Sequence, residues 1–273
     1  MIVVTGATGN VGRPLVEALV AAGEQVTAVS RRISEAPAGV RVRQADLADT
    51  ANLKPVLAGA ETLFLLVSGD FVGAGGDLGG VVDAALAVGL SRVVLLSSQG
   101  VGTGRHPSVF EDAVRQSGLD WTVLRPGGFA SNTLQWAESV RTRRVAPAPF
   151  GDVALPVIDP ADIAEVAATT LLESGHTGNT YVLTGPALIS PRQRVAAIGA
   201  ALGESVRFVE QTRAEARAQM VRFMPEQVAD ATLDILGTPN AAELTVSPDV
   251  ERVLGRPART YADWATRTAA AFR

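Results

Sequence analysis

The chain has 273 residues, 47% of them hydrophobic and 19% charged, with a formal net charge of −4. Apolar content at that level excludes a mostly disordered chain, and the length accommodates one large α/β core, alone or with a small second lobe. The charge balance supplies no global positive field to gather nucleic acid, and zero cysteines exclude a disulfide scaffold, thiolate-held metal centres and a cysteine nucleophile.

In chain order, β-branched runs alternate with helical patterns, the signature of a parallel sheet with crossover helices. Strands are predicted over residues 2–5, 25–30, 40–44, 62–67, 92–97 and 121–125. Helices are predicted over 11–22, 51–57, 79–88 and 108–117. Gly23, Gly59, Gly89 and Gly118 each follow a helical pattern, where a left-handed cap is wanted. Beyond Pro126 the rhythm loosens. Residues 127–150 read as a short helix within a longer excursion that ends in a turn at Pro147 and Pro149. A helix opens at Asp159-Pro-Ala-Asp162 and runs to about Leu172, with either aspartate suited to capping it. A strand over 180–183 follows, then helices over 191–202, 213–220, 225–236 and 261–272. The expected organisation is a nucleotide-binding core over 1–126 and a mixed segment over 127–273. That segment returns to the core over about 153–185 and builds a small lobe from about 127–152 and 186–273.

Gly6-Ala-Thr-Gly9-Asn-Val-Gly12 follows the first strand and opens the first helix. The first glycine permits a tight turn and the second lets backbone approach a pyrophosphate. The third lets helix and strand pack closely, with the helix N-terminus facing the phosphates. Thr8, Asn10 and Val11 fall within the same cradle. At the end of the second strand, where an NAD site carries an acid, this chain has Ser30-Arg31-Arg32. Guanidinium groups beside a hydroxyl suit a 2′-phosphate, so NADPH is expected in preference to NADH. Asp46 and Leu47 follow the third strand, positions suited to the adenine amino group and ring. Val67-Ser68 and Ser97-Ser98 end the fourth and fifth strands, where the nicotinamide half is expected with Pro126, Gly127 and Phe129.

Several of these stretches resemble the atypical short-chain dehydrogenase/reductase family. They are Thr5-Gly-Ala-Thr-Gly-Asn-Val-Gly12 and Val93-Val-Leu-Leu-Ser-Ser98. Ser117-Gly-Leu-Asp-Trp-Thr-Val-Leu-Arg-Pro-Gly-Gly-Phe129, Asp159-Pro-Ala-Asp-Ile-Ala164, Tyr181-Val-Leu-Thr-Gly-Pro186 and the tail 250–272 are similar to its NmrA-like branch. The resemblance spans essentially the whole chain. It implies a Rossmann-type doubly wound parallel sheet, α/β in class, with a small, mostly helical C-terminal substrate lobe. Members of the branch include NADPH-dependent quinone and enone reductases, tailoring reductases of secondary metabolism, and regulators that bind the dinucleotide without turning it over. Glu111 matches a recurrent family position on its helix, which a helix-surface salt bridge explains equally well.

One departure stands out. The usual Tyr-x-x-x-Lys pair is missing: helix 108–117 has neither residue, and Tyr181 and Tyr261 have no lysine three or four positions onward. Lys54, the only lysine, lies in an early helix. Hydride delivery without that relay suits a quinone or a conjugated aromatic or polyketide-like carbonyl, whose reduced anion can take its proton from water. Ser97, Ser98, Gln99 and His106 are the remaining candidate donors; His106 is the natural acid among them, with Ser97 beside it as a catalytic candidate, although its place between Gly104 and Pro107 also fits an exposed loop. His176 reads as a surface turn residue. Phe129 and Trp136 could stack on a planar substrate and Asn132 could orient its carbonyl, with Gln99 on the same side; the two aromatics equally fit a lobe core.

No metal site is expected from two distant histidines, and Arg141-Thr-Arg-Arg144 is weak as a nucleic-acid motif. No apolar run approaches the roughly 18–20 residues of a membrane helix. The amino terminus has no basic leader, so a cytoplasmic monomer or homodimer is expected, without nucleic-acid or membrane partners. The rival reading is a non-catalytic dinucleotide sensor that signals redox state to a protein partner. A nucleotide-sugar epimerase or dehydratase is a weaker one, because it would want the Tyr/Lys pair.

If Arg31 and Arg32 read the 2′-phosphate, the double variant Arg31→Ala/Arg32→Ala loses NADPH affinity far more than NADH affinity. Titration of both cofactors by fluorescence checks this, and equal losses would sink the assignment.

Overall fold

The computed structural model describes residues 1–33 and 35–273, with only the backbone of Asp70 described. The chain divides into two compact units, residues 1–126 with 161–182, and residues 127–160 with 183–273.

The first unit is built on a sheet whose strands are β1 (Ile2–Thr5), β2 (Val26–Ser30), β3 (Arg41–Gln44), β4 (Thr62–Leu66), β5 (Arg92–Leu96) and β6 (Asp120–Pro126), with β8 (Asn179–Leu183) at its far edge. The strand order is β3-β2-β1-β4-β5-β6-β8. Strands β1 to β6 pair in parallel. The order reverses between β1 and β4, which makes their carboxyl ends the switch point where such sheets open a crevice. All four residues of β1 are buried, as expected when helices cover both faces. Edge strand β3 is exposed and carries Arg41 and Arg43, charges that discourage pairing with another chain.

The helices of this unit are α1 (Gly12–Ala21), α2 (Leu53–Leu57, after a 3-10 turn at Thr50–Asn52), α3 (Gly69–Gly73), α4 (Leu78–Ala87), α5 (Gln99–Gly102), α6 (Val109–Arg115) and α8 (Pro160–Leu172), which begins at the unit boundary. Leu53, Leu57, Leu63, Leu65, Val81, Ala85, Val93 and Leu95 belong to one buried cluster with Phe71 and Val114. Helices α3 and α5 were not expected from sequence. Each is four or five residues long and starts on a serine whose hydroxyl accepts a backbone N–H, Ser68 from Phe71 and Ser98 from Gly100.

The second unit holds a 3-10 turn (Ala130–Trp136), α7 (Ala137–Arg143), β7 (Val145–Pro149), α9 (Pro191–Leu202), β9 (Arg207–Gln211), α10 (Arg213–Met220), α11 (Glu226–Gly237), α12 (Asp249–Leu254) and α13 (Tyr261–Thr268), closed by a 3-10 turn at Ala269–Phe272. The turn expected at Pro147 and Pro149 is instead strand β7, paired in parallel with β9. Parallel pairing turns alternate residues toward the partner. Arg207 N–H donates to the Arg144 carbonyl, so the even-numbered residues face β9. The two prolines therefore fall on the open side, where a missing N–H costs nothing.

Both aspartates expected near the start of α8 are buried. Asp159 is buried and ion-paired with Arg267, while Asp162 is fully buried in the first turn. Trp136, Val140, Val195, Ile198, Tyr261, Trp264 and Phe272 form the second unit's core. Among the described residues, no helix is long and apolar enough to cross a membrane.

Phe64 is fully buried at the centre of the sheet. Phe64→Ala removes its ring without a neighbour free to fill the space, and urea unfolding should show a loss of about 3–5 kcal/mol.

Candidate active site

The carboxyl ends of β1, β2, β3, β4 and β5 bring together most of the residues singled out from sequence. Thr5 ends β1 and fastens it to β4: its hydroxyl accepts the Leu66 N–H at 2.8 Å and lies 3.1 Å from the carbonyls of Phe64 and Leu66. The chain then turns at Gly6 with φ +62°, against the Leu66 side chain. Gly9 N–H donates to the Gly6 carbonyl at 3.0 Å. A Cβ on Gly12 would stand 2.2 Å from that same carbonyl oxygen, so only glycine fits there. Val11 precedes α1 without a side-chain cap, and no acid occupies the first turn. The positive end of α1 thus opens beside exposed Thr8, Gly9 and Asn10. A glycine cradle of this shape fits a dinucleotide pyrophosphate.

Thr8 Oγ1 lies 3.0 Å from Ser30 Oγ, which joins the cradle to the end of β2. Arg31 and Arg32 follow, both exposed. The Arg31 carbonyl accepts from Gln44 at 2.6 Å, pinning the backbone after β2. Exposed Asp46 accepts the Ala48 N–H at 3.0 Å, and Leu47 packs on the core. Val67 is also packed on the core, while Ser68 caps α3.

Beyond β5, two adjacent serines are committed differently. Ser97 Oγ donates to Glu111 Oε1 at 2.6 Å. Glu111 is only 1% exposed and also receives Arg125 Nε at 2.8 Å, Arg125 Nη2 at 2.6 Å and Arg115 Nη2 at 2.8 Å. Burial pushes its carboxyl up, but the hydrogen bonds from Arg125 and Ser97 and the charges of both arginines outweigh that and hold it below its ordinary 4.5. Glu111 is therefore a buried anchor rather than the helix-surface salt bridge considered from sequence. Arg125, unremarked there, is its principal partner. The signal was present: an arginine near the end of an apolar, buried strand requires a carboxylate. Ser98 Oγ lies 3.3 Å from His106 Nδ1, and the His106 N–H donates to the Gly100 carbonyl. His106 is exposed, with its ring close against Gly100, and Gln99 opens α5 beside the pair.

The remaining tyrosines and histidine have partners of their own. His176 lies in the turn between α8 and β8, as expected, half-buried and with its Nδ1 2.8 Å from Tyr181 Oη. Lys54 is exposed on α2. Pro126 is buried at the end of β6.

In the second unit, Gly127 N–H donates to the Leu183 carbonyl, and half-buried Phe129 bridges to Ile158. Asn132 is exposed. Trp136 is a core residue in contact with the lobe cluster, which removes it as a surface for stacking a planar ring. Tyr261 is buried with its hydroxyl 2.7 Å from Thr133 Oγ1, and burial raises its pKa.

A model of the NAD(P)H-binding family matches residues 6–174, more than half of the chain, and the chain belongs to that family. Over its whole length it is 36% identical to the (4-alkanoyl-5-oxo-2,5-dihydrofuran-3-yl)methyl phosphate reductase of Streptomyces griseus, covering 99% of that protein. It is 33% identical, again over its whole length, to the NAD(P)H azoreductase of Xenophilus azovorans, of which it covers 99%. Among solved structures, the NADPH-dependent quinone oxidoreductase of Escherichia coli in complex with NADPH is 28% identical, with a TM-score of 0.82 over 98% of this chain and 99% of that one. These likenesses place the chain among the NAD(P)H-dependent oxidoreductases, within the family that its motifs resemble.

Because its folded-state carboxyl titrates below its ordinary value, Glu111 stabilises the fold fully above about pH 4.5 and loses that contribution as pH falls through the lowered value. Glu111→Gln should cost about 3 kcal/mol at neutral pH. The gap from wild type should narrow in acid, as measured by urea unfolding across a pH series.

Proposed function

We propose that this oxidoreductase transfers hydride from NADPH to an electron-poor conjugated acceptor, a quinone or a conjugated carbonyl, without a tyrosine–lysine relay. The observation that carries the reading is the glycine cradle at the uncapped end of α1, joined through Thr8 and Ser30 to the arginine pair after β2. The backbone of Gly6 to Gly12 would hold the pyrophosphate, and Ser30, Arg31 and Arg32 the 2′-phosphate. Asp46 and Leu47 would hold the adenine; Val67, Ser68, Ser97, Ser98 and Pro126 would border the nicotinamide half. When bound, the reduced nicotinamide supplies the hydride.

The chain's own groups favour an acceptor that needs little acid catalysis. The Tyr181 hydroxyl is taken up with His176 and that of Tyr261 with Thr133, and the single lysine, Lys54, is on α2. Ser97 cannot serve as a ready donor, because its one hydroxyl proton is directed to Glu111. The Ser98–His106 pair is the group best placed to hand over a proton. An enolate or hydroquinone anion takes its proton from water, so a conjugated acceptor fits this set better than an isolated ketone. The substrates named for the relatives support the choice. A quinone, an azo compound and an alkanoyl dihydrofuranone are all conjugated electron acceptors.

Anaerobic oxidation of NADPH should proceed with a benzoquinone, an azo dye or an alkanoyl butenolide and fail with cyclohexanone, followed by nicotinamide absorbance. Oxidation by the simple ketone at a comparable rate overturns the acceptor class. Tight NADPH binding with no oxidation by any acceptor replaces the enzyme with a dinucleotide sensor.

A further inference from the structure

Helix α5 carries a glycine whose space is taken by a histidine ring. Gly100, its second residue, is buried. A Cβ there would stand 2.5 Å from His106 Nδ1, 2.7 Å from Cε1 and 2.9 Å from Cγ. These ring atoms are its nearest neighbours beyond the helix's own backbone. The φ of Gly100 is not positive, so the backbone conformation does not demand glycine. Glycine weakens a helix relative to alanine, and here the only thing gained in exchange is room for the imidazole.

The chain reaches this seat by folding back on itself. Gly104 takes φ +76°, and the N–H groups of Arg105 and His106 both donate to the Gly100 carbonyl, at 2.8 and 3.0 Å. Ser98 Oγ accepts the Gly100 N–H at 3.1 Å and lies 3.3 Å from His106 Nδ1. The imidazole is therefore held by its backbone, by packing and through Nδ1. Among the described residues, no hydrogen bond engages Nε2. Helix α5 itself has a firm base. A Cβ on Gly102 would stand 2.9 Å from Arg125 Nη1, and Glu111 holds Nε and Nη2 of that guanidinium. His106 is exposed, so core packing does not account for its seat. Its place is just past the carboxyl end of β5, on the sheet edge where open α/β sheets bind their ligands.

We propose that Gly100 is a positioning residue: the space it leaves seats the His106 imidazole on Ser98 and makes Nε2 the atom that hands over a proton. This rests on the hydride-transfer reading above. Once the acceptor has taken its hydride it is an enolate or hydroquinone anion. The imidazolium gives its Nε2 proton to that oxygen and becomes neutral, keeping the Nδ1 proton on a lone pair of Ser98 Oγ. A proton from water then restores the imidazolium. In sum, NADPH, one proton and the acceptor become NADP+ and the reduced acceptor. Water can also protonate the anion directly, so the seated ring accelerates the step.

Anaerobic NADPH oxidation by benzoquinone and an alkanoyl butenolide, together with proton spectra of the histidine rings, tests this in the full chain. The chain has two histidines, so both rings can be followed. Gly100→Ala should displace the His106 signals, leave those of His176 in place and keep Tm at or above that of wild type. His106→Ala should lower kcat for the butenolide about a hundredfold, and imidazole in the buffer should restore part of the loss. Gly100→Ala should show most of the same loss. The double variant should be no slower than His106→Ala, because both changes remove one group's action. Unmoved His106 signals in Gly100→Ala, wild-type kcat in either single variant, no response of His106→Ala to imidazole, or multiplied losses in the double variant overturns the proposal while the hydride reading stands. A wild type that oxidises NADPH with neither acceptor overturns both.

Discussion

The close approach of Gly12 to the carbonyl of Gly6 is the constraint on which the glycine-rich edge of the first unit depends. A side chain at residue 12 would collide with that oxygen at 2.2 Å, so helix α1 could not start so close to strand β1. Thr5 completes the arrangement from the other side, using one hydroxyl to tie β1 to both Phe64 and Leu66 of β4. The turn is thus clamped between two strands and a helix before any ligand arrives. Rigid placement of backbone donors at a helix end is what makes phosphate binding inexpensive in entropy, because little remains to be ordered.

A second clamp, at the far side of the same edge, is ionic. Glu111 gathers Ser97, Arg125 and Arg115 around one carboxylate, linking the end of β5, strand β6 and helix α6. Burying such a cluster is costly unless each lone pair and proton finds a partner, and here the carboxylate is surrounded by four donors. Arg194 differs: it is also buried, its Nη2 donates to the Ile189 carbonyl, and its Nε has no hydrogen-bond partner among the described residues.

Much of the first unit was legible from sequence because its elements are encoded locally. Uninterrupted apolar runs mark strands covered on both faces, and glycines after helical patterns mark the helix ends, all four with positive φ. The spacing of Gly6, Gly9 and Gly12 between a strand and a helix foretold the turn. The elements that sequence did not reveal are those defined by partners far along the chain. Strand β7 reads as a proline-rich turn until β9, some sixty residues later, supplies its ladder. Trp136 looks available to a ligand until Trp264 and Phe272 come to cover it. Glu111 looks like a helix-surface acid, since its burial is matched by Arg125 on the following strand, β6. In each case the deciding contact is tertiary, and no local pattern carries it.

Pairing of β7 with β9 also governs what the second unit can do at its margin. Odd-numbered residues of β7 face away from β9, and two of the three, Pro147 and Pro149, have no hydrogen to offer. That outer edge presents carbonyl oxygens almost without donors, so an incoming strand finds nothing with which to alternate. A two-stranded sheet would ordinarily be a template for accretion, by a neighbouring molecule or by a partly unfolded copy of the same chain. Here the prolines end the sheet chemically as well as geometrically, and self-association through this edge is closed off.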